Sequence, residues 1–340
     1  LEQSDLERRD RDFATELTYG TTRMRRALDF LLDHHLRRDV EPEVRNALRL
    51  GAYQLHFLRT PAHAAVSATV DVAPGRARGF VNAVLRKVAG TGAPRWPDLA
   101  TELSYPDWIV DQLVADLGAA TARAALEAMN QPPAVVTRPD GYVQDTASQW
   151  VAELVGATAA DIVVDLCAGP GGKATALGSD VVIALDAQPH RAALVVANAR
   201  RYGHPEVRVA VADGRRPPLR RGRADRVLVD APCSGLGVLG RRADARWRIE
   251  REDIERLVGL QRHLLSSALD LLRPGGLLVY SVCTITRAET AAVDNWLASA
   301  FPALTPVAPP PPWEPVGRGG RLLPQAEGTD GMYVLRLRQP

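Results

Sequence analysis

Only two of the 42 basic residues are lysines, Lys87 and Lys173, and cysteine occurs three times, as Cys167, Cys233 and Cys283. An odd cysteine count with no evident secretory leader argues against a disulfide framework and for a reducing, cytoplasmic setting. No run approaches the roughly 18 apolar residues of a membrane span, so no membrane partner is expected. A formal net charge of +2 over 340 residues announces no nucleic-acid partner by itself, and any basic surface has to come from local clustering. The GxGxxG fingerprint is missing, which makes a dinucleotide the weaker candidate ligand. His34, His35, His56 and His63 lack metal-ligand spacing with cysteine, so no metal is expected. No internal repeat is visible. The chain opens on Leu1 rather than methionine, so residues ahead of it are expected.

What is present suggests two or three domains of ordinary soluble composition, 46% hydrophobic and 24% charged. Residues 1–90 read as helices: Leu17, Met24, Leu28, Leu31 and Leu32 share one helical face, as do Val44, Leu48, Ala52 and Leu55. Arginines crowd the stretch from Arg8 to Arg38, either as solvated faces balanced by Asp and Glu or as a phosphate-facing surface. Arg23, Arg25, Arg26 and the loop Arg241–Arg248 are the candidates for that surface. Residues 91–141 read as a helical linker, with a helix opened by YPDW at Tyr105–Trp108 and another stopped by the prolines of NQPP. From residue 142 onward strands and helices alternate. Strands ending near Asp165, Asp186, Ala212, Asp230 and Tyr280 argue a parallel sheet with crossover helices, closed by a last strand at Met332–Leu337.

Open parallel sheets bind ligands at the carboxyl ends of their strands. At the first such end, IVVDLCAGPGGKATAL (162–177) gives a strand, a small-residue turn and helix-forming residues, a backbone that a ligand can approach closely. Asp186, at the next strand end, suits the hydroxyls of a nucleoside ribose, and Asp213 an adenine edge or its ribose. A glycine loop without a pyrophosphate cradle fits S-adenosylmethionine better than NAD. Asp230 and Cys233 stand three residues apart past the fourth strand, and Cys283 lies past the fifth. Cys167 reads as packing and loop geometry. Tyr280 or Trp247 can stack on a base, although packing is the commoner role for such residues.

CAGPGGK (167–173), DAPCSGLGVL (230–239), YSVCT (280–284) and GTDGMYVLRLR (328–338) occur in order and resemble the RsmB/Sun (Fmu) family of ribosomal RNA cytosine-C5 methyltransferases. LTYGTTR, LGAYQLHFLRTPAHAAV and FVNAVLRK resemble that family's NusB-like helical domain, so the resemblance spans nearly the whole chain. It implies an all-α NusB-like RNA-binding domain over 1–90, a linker with a shortened RNA-binding subdomain over 91–141, and an α/β, Rossmann-like methyltransferase domain over 142–340. It implies S-adenosylmethionine as cofactor, held by Cys167, Ala168, Gly169, Pro170, Gly171, Gly172, Lys173, Asp186, Asp213 and Asp230. The catalytic residues implied are Cys283 as nucleophile, Cys233 for product release, and Asp230, which on the chemistry is placed to hold the base. The partner implied is RNA, with cytosine in small-subunit (16S) ribosomal RNA as substrate. The departures are at Thr286–Thr290, where of a proline and two glutamates only Glu289 is kept, and at AVVTRPDGYVQD (134–145), where most of the RNA-binding subdomain is absent. A catalytically silent RNA-binding protein and a methyltransferase with a non-ribosomal substrate are the alternatives.

Overall fold

The computed structural model describes residues 5–58 and 60–340; residues 1–4 and Arg59, which fall in the expected helical domain, lie outside the described residues. The chain forms two compact units. The first comprises residues 5–111 with Asn130–Pro132 and Gly240–Arg248. Its helices are α1 (Arg8–Arg23), α2 (Arg25–Asp33), α3 (Pro42–His56), α4 (Ala62–Val72), α5 (Arg78–Ala89), α6 (Leu99–Leu103) and the first turn of α7 (Asp107–Leu117). Leu28, Leu32, Leu48, Ala52, Val81 and Leu85 meet in one core, the expected outcome of apolar residues three and four apart on successive helices. Leu17, expected on the same face, packs at the rim of that core.

This unit extends beyond the expected boundary at residue 90 and recruits Gly240–Arg248, for a reason visible at Arg246. Its guanidinium is fully buried, lies 3.9 Å from the ring centroid of Tyr105, and donates to the carbonyls of Arg23 and Ser104 at 3.2 and 3.1 Å and to Asn130 Oδ1 at 3.0 Å. A charge so placed is tolerable only because stacking and hydrogen bonds replace its water. Arg23 is 2% exposed and donates to the Gly240 carbonyl, while Arg26 pairs with Asp98 and Asp107. Trp247 donates its indole N–H to Thr22 O at 2.8 Å. The expectation that Arg23, Arg26 and Arg246 face phosphate is therefore corrected: these side chains are committed to internal partners.

The second unit contains the rest of α7, α8 (Ala119–Ala128), α9 (Thr146–Leu154), α10 (Pro189–Arg201), α11 (Arg251–Leu271), α12 (Ala291–Ala300) and α13 (Pro324–Glu327) around a nine-stranded sheet. The strands are β1 (Ile162–Asp165), β2 (Val181–Asp186), β3 (Val207–Val211), β4 (Ala224–Asp230), β5 (Leu272–Val282), β6 (Thr305–Pro306), β7 (Glu314–Val316), β8 (Gly319–Leu322) and β9 (Met332–Arg338). Their order is β3-β2-β1-β4-β5-β9-β8-β7, with β6 also paired to β9. The five strands from β3 to β5 are parallel, as alternation with helices requires, and the order reverses between β1 and β4. The sheet is mixed rather than all parallel, because β9 returns antiparallel to β5 and carries β8 and β7 beyond it. The proline-rich stretch 309–315 leads into β7, and Pro315 sits in this short edge strand.

Residues alternate between the two sheet faces, which have separate cores. Val164, Val227, Val229, Leu278 and Tyr280 pack with Leu265 and Ala268 of α11, whereas Val163, Val182, Leu228 and Val279 pack with Val151 of α9 and Val195 of α10. Both faces being covered explains why these strands read as continuous apolar runs.

Candidate active site

The carboxyl ends of β1, β2, β4 and β5 gather the sequence-derived residues. After β1 the loop 167–173 turns back with its backbone against β2: Gly169 N–H donates to Asp186 Oδ2 at 3.1 Å, and Ala168 N–H to Leu185 O at 2.8 Å. A Cβ on Gly169 would lie 2.5 Å from Asp186 Oδ2, so only glycine lets this carboxylate close on the loop. Asp186 is 6% exposed, accepts Arg191 Nε at 3.1 Å, and caps the turn through Gln188 N–H at 2.9 Å. Asp213 lies farther out, half-exposed and chelated by Arg215, whose hydrogen bonds hold its carboxyl below the usual range.

Asp165, which the sequence reading passed over as a strand terminus, sits under the loop. It is 1% exposed, Oδ1 accepts the Cys167 N–H at 3.2 Å, and Oδ2 is buried without a partner. Burial first, then the charge of Asp230, pushes its carboxyl up to about 7. Cys167 is likewise pushed well above the usual thiol range by burial and then by Asp165, which leaves it an inert thiol.

Lys173 does not point along the glycine loop. Its ammonium lies 2.7 Å from Asp230 Oδ2 and 2.8 Å from Ser148 Oγ, and Asp230 Oδ1 accepts the Ser281 hydroxyl at 2.7 Å. Burial works against the charge on Lys173, but the Asp230 carboxylate outweighs it and the ammonium is held above its ordinary pKa. Ser148 and Ser281 carried no sequence signal, since single serines in a helix and a strand look like any others.

Past β4 and β5, the sulfurs of Cys233 and Cys283 lie 3.3 Å apart. Their segments are stitched by backbone: Gly237 N–H donates to Cys283 O at 3.1 Å and Gly331 N–H to Gly237 O at 2.8 Å. This joins three of the four motifs, and a Cβ on Gly237 would fall 2.1 Å from Gly331 O. Hydrogen bonding to Cys283, then burial, pushes the Cys233 thiol well up, so Cys233 keeps its proton.

Glu289 holds the Pro232–Ser234 turn from beneath. Fully buried, it accepts Ser234 N–H at 2.8 Å, Gln261 Nε2 at 3.1 Å, Thr286 Oγ1 at 2.9 Å and Ser234 Oγ at 2.5 Å. Tyr280 is also fully buried and donates to Glu289 O at 2.8 Å, so it is a packing residue with no free ring face. In place of a subdomain, residues 136–144 form a small hairpin whose Arg138 donates to Gly172 O at 2.6 Å, Thr175 Oγ1 at 2.9 Å and Gln144 Oε1 at 3.1 Å. Arg138 also pairs with Asp140, whose carboxyl it holds far below the usual range. Among the described residues no His, Cys, Asp and Glu cluster could hold a metal ion.

Residues 153–338 match the family described as 16S rRNA methyltransferase RsmB/F, and residues 1–90 match the NusB family. The chain belongs to the RsmB/F methyltransferase family. A putative methyltransferase of Mycobacterium tuberculosis is 37% identical, the alignment covering 100% of this chain and 91% of the relative. The ribosomal RNA small subunit methyltransferase B of Thermus thermophilus is 36% identical over 100% of this chain and 91% of its own length. The mycobacterial alignment runs over 421 positions, more than the 340 residues here, so that relative carries sequence which this chain does without. Among solved structures, PH0851 shares the fold across 99% of this chain and 92% of its own, with a TM-score of 0.82 at 21% identity. NSun6 from Pyrococcus horikoshii, solved with SFG, covers 58% of this chain and 53% of its own at 28% identity and a TM-score of 0.51. The family is thus an RNA methyltransferase family on a Rossmann-like domain behind a NusB helical domain.

Proposed function

We propose that the chain methylates carbon 5 of a cytosine in small-subunit ribosomal RNA through a covalent Cys283 adduct. The observation that carries this reading is the pair of thiols 3.3 Å apart beside the Lys173–Asp230 ion pair. The cofactor is S-adenosylmethionine, which supplies an electrophilic sulfonium methyl when bound. The loop Cys167–Lys173 and Asp186 are assigned to a nucleoside of this kind: the glycines let the loop close tightly on Asp186, Val195 and Tyr142, and a buried carboxylate ends β2, where open parallel sheets take a ribose. Asp213, half-exposed past β3, is assigned to the same cofactor, and NSun6, a relative of this fold, was solved with an analogue of it.

Carbon 5 of cytosine is a weak nucleophile until a thiolate adds at carbon 6 and makes it enamine-like. Cys283 is assigned that addition. The two sulfurs lie within hydrogen-bonding distance, so a protonated Cys233 can donate to an attacking thiolate on Cys283, and the Lys173 ammonium interacts electrostatically with Cys283 as well. The cytosine edge offers an amine donor and two acceptors, matched by an Asp230 carboxylate and a Lys173 ammonium held rigidly together. Once carbon 5 carries the methyl group, water takes the carbon-5 proton and the bond to Cys283 breaks, releasing that sulfur as a thiolate; Cys233, as a neutral thiol, is assigned the hydrogen bond that steadies the departing sulfur. The base has to be unpaired or flipped to reach these groups.

A denaturing gel with radiolabelled ribosomal RNA tests the assignment. Cys233→Ala accumulates a protein–RNA adduct, and Cys283→Ala gives neither adduct nor product. An adduct confined to the Cys283 variant would reverse the roles, and methyl transfer in both variants would sink the covalent mechanism.

A further inference from the structure

Seven arginines fall between Arg208 and Arg226, against two acids, Asp213 and Asp225, in a chain whose total charge is only +2. The rest of the protein is therefore net acidic, and this dense run of arginines lies at one flank of the second unit. That flank is structurally defined. β3 is the edge strand of the sheet, and Arg208 pairs in register with Ile183, on the face where Ile183 and Leu219 join the core around α11. The β3–β4 connection, residues 212–223, lies on that same side, with Leu219 packed against the core and Gly214 O accepting the Ser267 hydroxyl. Its far end is tied by Gly222 N–H to Asp270 O and Arg223 N–H to Leu271 O, and Pro217 and Pro218 stiffen its middle.

Six of these arginines, Arg208, Arg215, Arg216, Arg220, Arg221 and Arg223, are exposed. Arg215 is used by Asp213, and Arg221 has only a loose contact with Asp270 at 3.4 Å, both groups being solvated. Arg208, Arg220 and Arg223 have no side-chain partner among the described residues. Asp225, the second acid of the tract, is itself engaged by Arg273 and by the Ile162 N–H. This contrasts with the helical unit, where Arg23, Arg26, Arg45 and Arg49 are consumed by internal carbonyls and carboxylates. An anchored row of exposed guanidinium groups, most of them without a carboxylate partner, presents a positive surface complementary to an anion of extended shape.

We propose that the β3 flank, from Arg208 through Arg223, is a docking surface for the RNA phosphate backbone. The inference rests on the reading of the chain as an RNA methyltransferase and supplies part of the grip for a protein whose 136–144 hairpin is spent on bracing the glycine loop. Phosphate contacts of this kind position the strand without reading its sequence.

The test replaces Arg208, Arg220, Arg221 and Arg223 by glutamine in the full chain. Binding of a fluorescein-labelled, mixed-sequence single-stranded RNA is then titrated at several potassium chloride concentrations, alongside calorimetry with S-adenosylhomocysteine and a thermal melt. Each lost phosphate contact removes about 0.7 from the salt slope, so the variant's slope falls by about 2 to 3 with at least a roughly tenfold weaker affinity at low salt. Melting and S-adenosylhomocysteine affinity stay unchanged. A wild-type slope retained by the variant overturns the surface and leaves the methyltransferase reading intact, whereas a wild type that transfers methyl groups yet binds no RNA overturns both. Loss confined to vesicles of anionic phospholipid would assign the flank to a membrane and also overturn the inference.

Discussion

Glu289 offers the sharpest test of how the turn that carries Cys233 is held. Its carboxylate receives four donors, two of them fixed N–H groups, from Ser234 and Gln261, and two of them hydroxyls, from Ser234 and Thr286. In Glu289→Gln the amide oxygen keeps the two N–H groups, while the new amide nitrogen faces the hydroxyls, which rotate to accept. The shape is preserved and only the charge assistance is lost, a cost of about 1 to 2 kcal/mol. Glu289→Ala differs in kind. Ser234 Oγ retains Thr284 Oγ1 at 2.9 Å and Gln261 Nε2 retains Pro232 O at 3.0 Å, so the group left stranded is the Ser234 N–H. An orphaned buried donor costs about 1 to 3 kcal/mol, and the small cavity adds about 1 more, giving about 2 to 4. Urea denaturation with an unchanged slope should show the alanine variant losing about twice what the glutamine variant loses. Because the stranded donor directly follows Cys233, turnover in Glu289→Ala should fall more steeply than cofactor affinity. Equal destabilisation by the two substitutions would refute the hydrogen-bond account, since it would mean that the N–H bonds retained by the amide oxygen of glutamine contribute nothing.

Asp186→Ala should weaken S-adenosylmethionine binding by about 1.5 to 3 kcal/mol, read by calorimetry; unchanged affinity removes Asp186 from the site. Arg138→Met should lower stability by about 2 to 3 kcal/mol and loosen the cofactor loop to give roughly tenfold weaker binding, and a variant that melts like wild type would show the hairpin to be ornamental. Asp165 has a folded-state pKa raised to about 7, above its unfolded value, so the folded state binds the extra proton and stability falls as pH rises from about 4 to about 7. Three units correspond to an upper bound of about 4 kcal/mol, and Asp165→Asn should flatten that part of the stability profile; an unaltered profile would mean that Asp165 is not the titrating group.

The legible parts of this molecule were those with a period or a spacing. Strands β1, β2, β4 and β9 ended within a residue or two of where apolar runs met an acid or a turn, because a sheet buried on both faces leaves its polarity only at the strand ends. Illegible were the contacts made by single polar residues across long sequence separations. Ser148 reaches Lys173 across 25 positions and Glu289 reaches Ser234 across 55, and neither carries a local pattern. The arginines misled for the same reason in reverse. Arg23 and Arg246 look like solvent-facing charge in any window of sequence, and only the carbonyls of Gly240, Arg23 and Ser104 reveal them as interior struts. A near-neutral total likewise concealed the tract from Arg208 to Arg223, since its charge is offset by acids elsewhere.

Lysine scarcity can be understood at the same level. A guanidinium is planar, bulky and forked, whereas the position between Ser148 Oγ and Asp230 Oδ2 demands a compact donor at 2.8 and 2.7 Å in a side chain only 10% exposed. An ammonium fills that position with three rotatable donors, two directed at these partners and one left for a ligand. Lys87, the other lysine, lies exposed in the last turn of α5, where basic residues are favourable and either type serves. In a chain whose basic residues are almost all arginine, a lysine at position 173 therefore reflects geometry rather than charge, and the geometry in question is the ion pair beside the two thiols.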